Sequence, residues 1–176
     1  MIKVSIFALS LLTASSYLAA DSSTAPLRVG IIGLEHGHVS GFLKGVALTP
    51  ACGASHRPDV QVVGIVEPNQ QLFDKYAARF HWPASMHFQS VEELASRAHP
   101  DAALIFTPTA GHTKAVEDCA KVHIHAMMEK PLAVSYKDAL AMQQAAQRGK
   151  IHVLVDYETS WYGSNKAAYD LLAEGA

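Results

Sequence analysis

Between positions 27 and 156 the chain alternates short apolar runs, rich in β-branched residues, with segments of helical periodicity, and this alternation restricts the fold more than any other feature. Leu27–Ile32 (LRVGII), Val60–Val66 (VQVVGIV), 86–88, 102–106 (AALIF), 123–128 and 151–156 (IHVLVD) read as strands. The segments 38–48, Gln70–Phe80, 91–97, His112–Lys121 and 136–148 carry apolar residues at helical spacing. Ser90 with Glu93 forms a capping-box pattern, Ser135 is a further N-cap, and Gly149 is placed to end its helix. Strands that are apolar throughout are buried on both faces. Parallel neighbours need long crossovers, which the helices supply. The prediction is an α/β fold with a doubly wound parallel sheet.

In such a sheet, ligands bind beyond the carboxyl ends of the strands. The polar punctuation falls there: 33–38, Glu67-Pro68, 107–112 and 129–131. The first strand-to-helix turn is Gly30-Ile31-Ile32-Gly33-Leu34-Glu35-His36-Gly37-His38. A dinucleotide turn of the Rossmann type is usually GxGxxG. With its first glycine on Gly33, Glu35 takes the second position and His38 the third, while Gly37 adds freedom nearby. A carboxylate at the second position repels a pyrophosphate. Glu67, ending the second strand, is a candidate acceptor for adenosine ribose hydroxyls, and its charge favours NAD over NADP. An acid at the start of a helix explains Glu67 equally well.

Two further motifs follow later strands: Thr107-Pro108-Thr109-Ala110-Gly111-His112 and Glu129-Lys130-Pro131. Together with Val155-Asp156-Tyr157-Glu158-Thr159-Ser160-Trp161-Tyr162, they resemble the Gfo/Idh/MocA oxidoreductases from about Leu27 onward. The resemblance implies NAD(P)-dependent chemistry on a sugar or polyol. It puts Lys130 beside the reacting hydroxyl as the candidate catalytic residue. It assigns Thr107, Pro108, His112, Glu129 and Pro131 to the cofactor cleft, along with Gly33, Glu35, His36, Gly37, His38 and Glu67. Tyr157 and Trp161 are candidate substrate contacts. The resemblance also implies a second domain carrying much of the substrate pocket. Positions 157–176 read as its truncated beginning, so this chain is expected to bind cofactor without turning over substrate.

His36 and His38 form an HxH at the turn, but spacing supplies no third metal ligand. They read as helix caps or phosphate donors, and no metal is expected. His123 and His125 are expected to alternate along one strand. Cys52 and Cys119 leave one disulfide or two thiols open. The 176 residues carry a net charge of -2 with 17% charged residues, which gives no nucleic-acid signature. Residues 1–20 read as an export signal: Lys3, an apolar core too short to span a bilayer, and Ala19-Ala20 before a polar linker at 21–26. The domain that follows, 27–156, is then expected outside the cytoplasm, free of the membrane, with a small molecule as its partner. Dinucleotides are scarce there. An exported sugar-binding module or a remnant that has lost its cofactor is therefore the competing reading.

Overall fold

The structure, a computed structural model, describes residues 25–46 and 59–175. The leader, Cys52 and nearly all of the 49–59 loop lie outside these residues. The elements in chain order are β1 (Leu27–Ile32), α1 (His38–Val46), β2 (Val60–Val66), α2 (Gln70–Phe80), β3 (His87–Phe88), α3 (Val91–Ala98), β4 (Ala102–Ile105), α4 (His112–Lys121), β5 (His125–Glu129), α5 (Tyr136–Gly149), β6 (Val153–Asp156) and α6 (Gly163–Ala173). The strands form one parallel sheet in the order β3-β2-β1-β4-β5-β6. The order reverses between β1 and β4, which makes that point the topological switch.

The apolar core divides by sheet face. Val29, Ile31, Val62, Ile65 and Phe106 pack with Val39 and Leu43 of α1 and Phe73 of α2. Ile105, Ala103, Ala126 and Met128 pack with Leu94 of α3, Val116 and Cys119 of α4, and Met142 of α5. Ala103 and Ile105 of β4 thus serve one face while Ala102 and Leu104 face the other, as the pleat requires. Burial also pushes the Cys119 thiol up to about 12, with Asp118 and Glu92 adding to the shift, so this sulfur is a packing group. The α2 face adds an aromatic cluster, with Phe73 stacked on His87 at 4.0 Å and Trp82 against Phe80 at 5.6 Å.

Helix ends follow their local chemistry. Ser90 Oγ accepts the Glu93 N–H at 3.1 Å, as the capping pattern predicts. The return bond differs: Glu93 Oε2 accepts the N–H of Gln89, one residue before the cap, at 2.9 Å. Ser135 Oγ caps α5 through the Asp138 N–H at 3.1 Å.

Two expectations need correction. His123 does not share a strand with His125. It sits in a turn at φ 60, its Nδ1 2.8 Å from the Gly149 carbonyl, and β5 begins at His125. Gly149 does not end α5 by adopting a left-handed conformation; Lys150 does so, at φ 53. Gly149 instead allows close packing of α5 on α4. A Cβ there would lie 2.5 Å from the Ala120 carbonyl oxygen and 2.8 Å from its Cα.

Gly149→Ala is therefore expected to lower stability by about 1–3 kcal/mol, through forced separation of α4 and α5. Gly41→Ala, within α1, should instead stabilise by up to about 1 kcal/mol, since among the described residues no atom beyond its neighbours and its own helix backbone lies within 4 Å of the place its methyl group would take. Urea unfolding of the two variants checks the contrast.

Candidate functional site: the cleft at the switch point

The site begins with the turn after β1. Gly33 adopts φ 80, and its N–H donates to the Val66 carbonyl at 2.8 Å. A Cβ on Gly33 would lie 2.7 Å from Thr107 Cγ2 and 2.9 Å from the Thr107 backbone nitrogen. Only glycine meets both demands, so the first position of the fingerprint is fixed by conformation and by contact. The Glu67 carboxylate holds the same turn. Oε2 accepts the Leu34 N–H and Oε1 the Asn69 N–H, both at 2.8 Å, and the residue is 1% exposed. The His36 N–H donates to the Phe106 carbonyl at 3.0 Å, which ties the turn to the end of β4.

The turn separates two cavities. One, of about 330 Å³, is lined by Gly33, Glu35, Pro68, Thr107, Gly111 and Lys114 among others. The other, of about 380 Å³, lies toward β4, β5 and β6 and is lined by His38, Phe42, Phe106, Glu129, Asp156 and Glu158 among others. Glu35 is exposed and borders the first cavity, so its charge stands beside the turn. Gly37 is exposed between the two histidines.

Three polar atoms in this region are buried with no hydrogen-bond partner among the described residues: Thr107 Oγ1, His112 Nε2 and Glu129 Oε2. Such atoms are rare in folded proteins and mark places where a partner is missing. His112 is fully buried at the start of α4, with Nδ1 3.2 Å from the Leu132 carbonyl. The carbonyl can only accept, so Nδ1 carries a proton. Pro108 is exposed, and its carbonyl accepts the Gly111 N–H at 2.8 Å.

Glu129 ends β5 and is 2% exposed. His38 Nδ1, on the first residue of α1, is 2.8 Å from its Oε1, and His36 Nδ1 is 3.5 Å from the same atom. Lys130 Nζ lies 3.9 Å from Oε2, with its side chain 44% exposed. The Lys130–Pro131 peptide is cis, and Pro131 is exposed. Asp156 sits directly across from Glu129 in the β5–β6 register. Burial, then the negative charges of Glu129 and Glu158, push the Asp156 carboxyl above its usual range, and His38 opposes this in part. Tyr157, just beyond β6, is half exposed, and Trp161 closes a short 3₁₀ turn, Glu158–Trp161.

The fold thus brings together residues from all four punctuation segments. Sequence reasoning missed Asp156, Glu158 and Lys114 as cleft residues. The one available signal was the Lys114/Asp118 spacing of four on α4. Burial opposes ionisation of Asp118, but hydrogen bonds from Lys114 and Lys121 outweigh it and hold its carboxyl below the usual range.

A parallel sheet in this order, with a positive-φ glycine after β1 and a cleft at the switch point, defines a Rossmann-type domain. The chain belongs to the oxidoreductase family with an NAD-binding Rossmann fold, Gfo/Idh/MocA, which matches residues 27–157. Glucose-6-phosphate 3-dehydrogenase of Bacillus subtilis is 26% identical over 121 residues, covering 69% of this chain and 31% of that protein. The WlbA dehydrogenase from Bordetella pertussis, solved in complex with NADH and UDP-GlcNAcA, superposes with a TM-score of 0.69 at 18% identity. That match covers 86% of this chain and 41% of WlbA. Aldose-aldose oxidoreductase from Caulobacter crescentus, complexed with glycerol, gives 0.68 at 20% identity, over 85% and 43% of the two chains. The chain therefore spans about a third of the curated relative's length and less than half of the solved ones.

Glu67→Ala leaves the buried amide of Leu34 and the partly buried amide of Asn69 without acceptors, and is expected to cost about 2 kcal/mol of stability. Urea unfolding against the parent chain measures this.

Proposed function

We propose that this chain is the NAD-binding part of an exported sugar or polyol oxidoreductase, with Lys130 at the reacting centre. The observation that carries the reading is the cleft at the switch point. Buried polar atoms without partners lie on Thr107, which lines one of its cavities, on Glu129, which lines the other, and on His112 at the start of α4, within the two motifs that mark the family. These residues fit a dinucleotide laid across the carboxyl ends of β1 and β4. When bound, the nicotinamide supplies hydride acceptance or donation.

The protein's own groups do the rest. Gly33 admits the backbone approach that the turn needs. Glu67 keeps lone pairs beyond those engaged by Leu34 and Asn69, and its charge disfavours a 2′-phosphate, which favours NAD. Lys130, exposed at the rim beside Glu129, hydrogen-bonds the substrate oxygen and moves its proton. Tyr157 and Trp161 contact the sugar. The exposed apolar residues Tyr169, Leu171 and Leu172 of α6 suit a further domain that completes the pocket. The sugar phosphate in the name of the Bacillus subtilis relative and the UDP-GlcNAcA bound to WlbA support the substrate class.

A second reading, a sugar-binding module or remnant without cofactor, is favoured by the exposed Glu35 carboxylate at the turn and by the burial of Glu67. Titration of the full chain with NAD and NADP, followed by calorimetry, decides between them. NAD binding, with NADP weaker, is expected. No heat at millimolar NAD overturns the oxidoreductase reading for this chain. Glu35→Gly is expected to tighten NAD by up to about fivefold, which is the size of an exposed like-charge penalty. Export is checked by fractionating cells that express the chain: mature protein outside the cytoplasm, starting near residue 21, is expected, and an intact leader on cytoplasmic protein rejects it.

A further inference from the structure

The geometry points to a divalent transition-metal site, of the kind zinc occupies, formed by His36, His38 and Glu129 at the junction of the β1–α1 turn and the end of β5. Among the described residues, one donor atom from each of the three comes within 4.8 Å of the others. Two of the separations are 2.8 Å, His38 Nδ1 to Glu129 Oε1, and 3.5 Å, His36 Nδ1 to the same oxygen. Donors around a tetrahedral zinc, bound at roughly 2.0–2.2 Å, stand about 3.3 Å apart. The 2.8 and 3.5 Å separations lie on either side of that spacing.

Three further features point to a cation. Glu129 is a carboxylate with a 1% exposed side chain, and its Oε2 has no hydrogen-bond partner. Its other polar neighbours are the two histidines at Oε1 and Lys130 Nζ, 3.9 Å from Oε2. A buried ionised carboxylate with an unmatched oxygen is costly. The two histidines face Oε1, so an ion held among the three donors meets that oxygen first, and it reaches the unmatched Oε2 when the carboxylate binds through both oxygens. The second feature is a conflict at His36. Its Nδ1 accepts the His38 N–H at 3.3 Å, yet faces the Glu129 oxygen at 3.5 Å. An imidazole nitrogen has a single in-plane position, either a lone pair or a proton. As a lone pair it accepts from the amide and opposes the carboxylate; turned to a metal ion it gives up the long amide contact, and it and the carboxylate become co-ligands. The third feature is access. The His36 and His38 side chains are 29% and 42% exposed, whereas the carboxylate beneath them is buried. The site is anchored below and open above, as an entry path requires.

Two imidazoles and one carboxylate suit zinc and its neighbours rather than magnesium or calcium, which prefer all-oxygen shells. Three protein ligands leave one position open in a tetrahedral site. His38 and Glu129 line the 380 Å³ cavity, so the open position is available to water or to an oxygen of a small molecule held there. Asp156, across from Glu129 in register, adds negative charge beside the ion.

The site shares Glu129, His36 and His38 with the cofactor cleft, and it is tested without dinucleotide so that the two readings can fail separately. The full chain, stripped with a chelator, is titrated with zinc by calorimetry and with cobalt by visible absorption. One ion per chain is expected, with cobalt bands of a mixed nitrogen–oxygen shell. Glu129→Gln and His38→Ala should each weaken binding by at least about tenfold. His125→Ala with His152→Ala, which removes a surface histidine pair, should leave the affinity unchanged. Glu129→Gln keeps the shape of the side chain, and circular dichroism reports whether His38→Ala remains folded; if it does not, Glu129→Gln and the cobalt spectrum decide. No saturable binding at millimolar zinc overturns the site. So does binding that survives Glu129→Gln at parent affinity.

Discussion

A single buried carboxylate, that of Glu67, organises the carboxyl end of the sheet. It reaches back from the end of β2 to the amide of Leu34 and forward to the amide of Asn69, both at 2.8 Å. The first bond sets the path of the chain leaving β1. The second fixes the entry into α2, where Asn69 caps the helix through the Leu72 N–H. The geometry of the switch point follows. With the turn held there, Gly33 rests against Thr107, and His36 is tied to the end of β4. A charge so deeply buried is stable only because backbone donors meet it.

Around that point the sheet is clamped from both faces. Helices α1 and α2 cover β1 and β2 on one side; α3, α4 and α5 cover β4 and β5 on the other. The helix pair α4–α5 packs closely enough that the contact at Gly149 admits no side chain. Toward β6 the α1 face thins. Leu154 is 54% exposed, and α6 has no buried residue. The larger cavity opens on that side, where His38, Glu129 and Asp156 gather. The best-packed part of the domain therefore carries the turn, and the less covered part carries the charged cleft.

Most elements were legible in the sequence because parallel strands buried on both faces leave continuous apolar runs, and helices leave their own period. Strand boundaries were less so. The left-handed turn at His123 has no glycine to announce it; it closes the end of α4, where the Ile124 N–H donates to the Cys119 carbonyl at 3.0 Å, and the Gly149 carbonyl meets the imidazole. Gly149 carried a misleading signal, since a glycine at a helix end suggests a cap whereas its use here is contact. Of the residues singled out by motif, Gly33 and Thr107 line one cavity of the cleft and Glu129 the other. Asp156 was not legible, because a carboxylate at a strand end becomes a cleft residue only once its neighbouring strand is known.

The sequence by itself determined the alternation, hence the parallel sheet, the side on which ligands can sit, and the family, because periodicity and short motifs are local properties. Tertiary structure decided how the charged groups are used. Glu67 faces backbone amides because the β1 turn passes directly over it. His38 meets Glu129, 91 residues away, because β4 and β5 follow β1 in the sheet and bring the end of β5 beneath the start of α1. Charge partners at that separation are set by strand order, and strand order is a property of packing that no local spacing encodes.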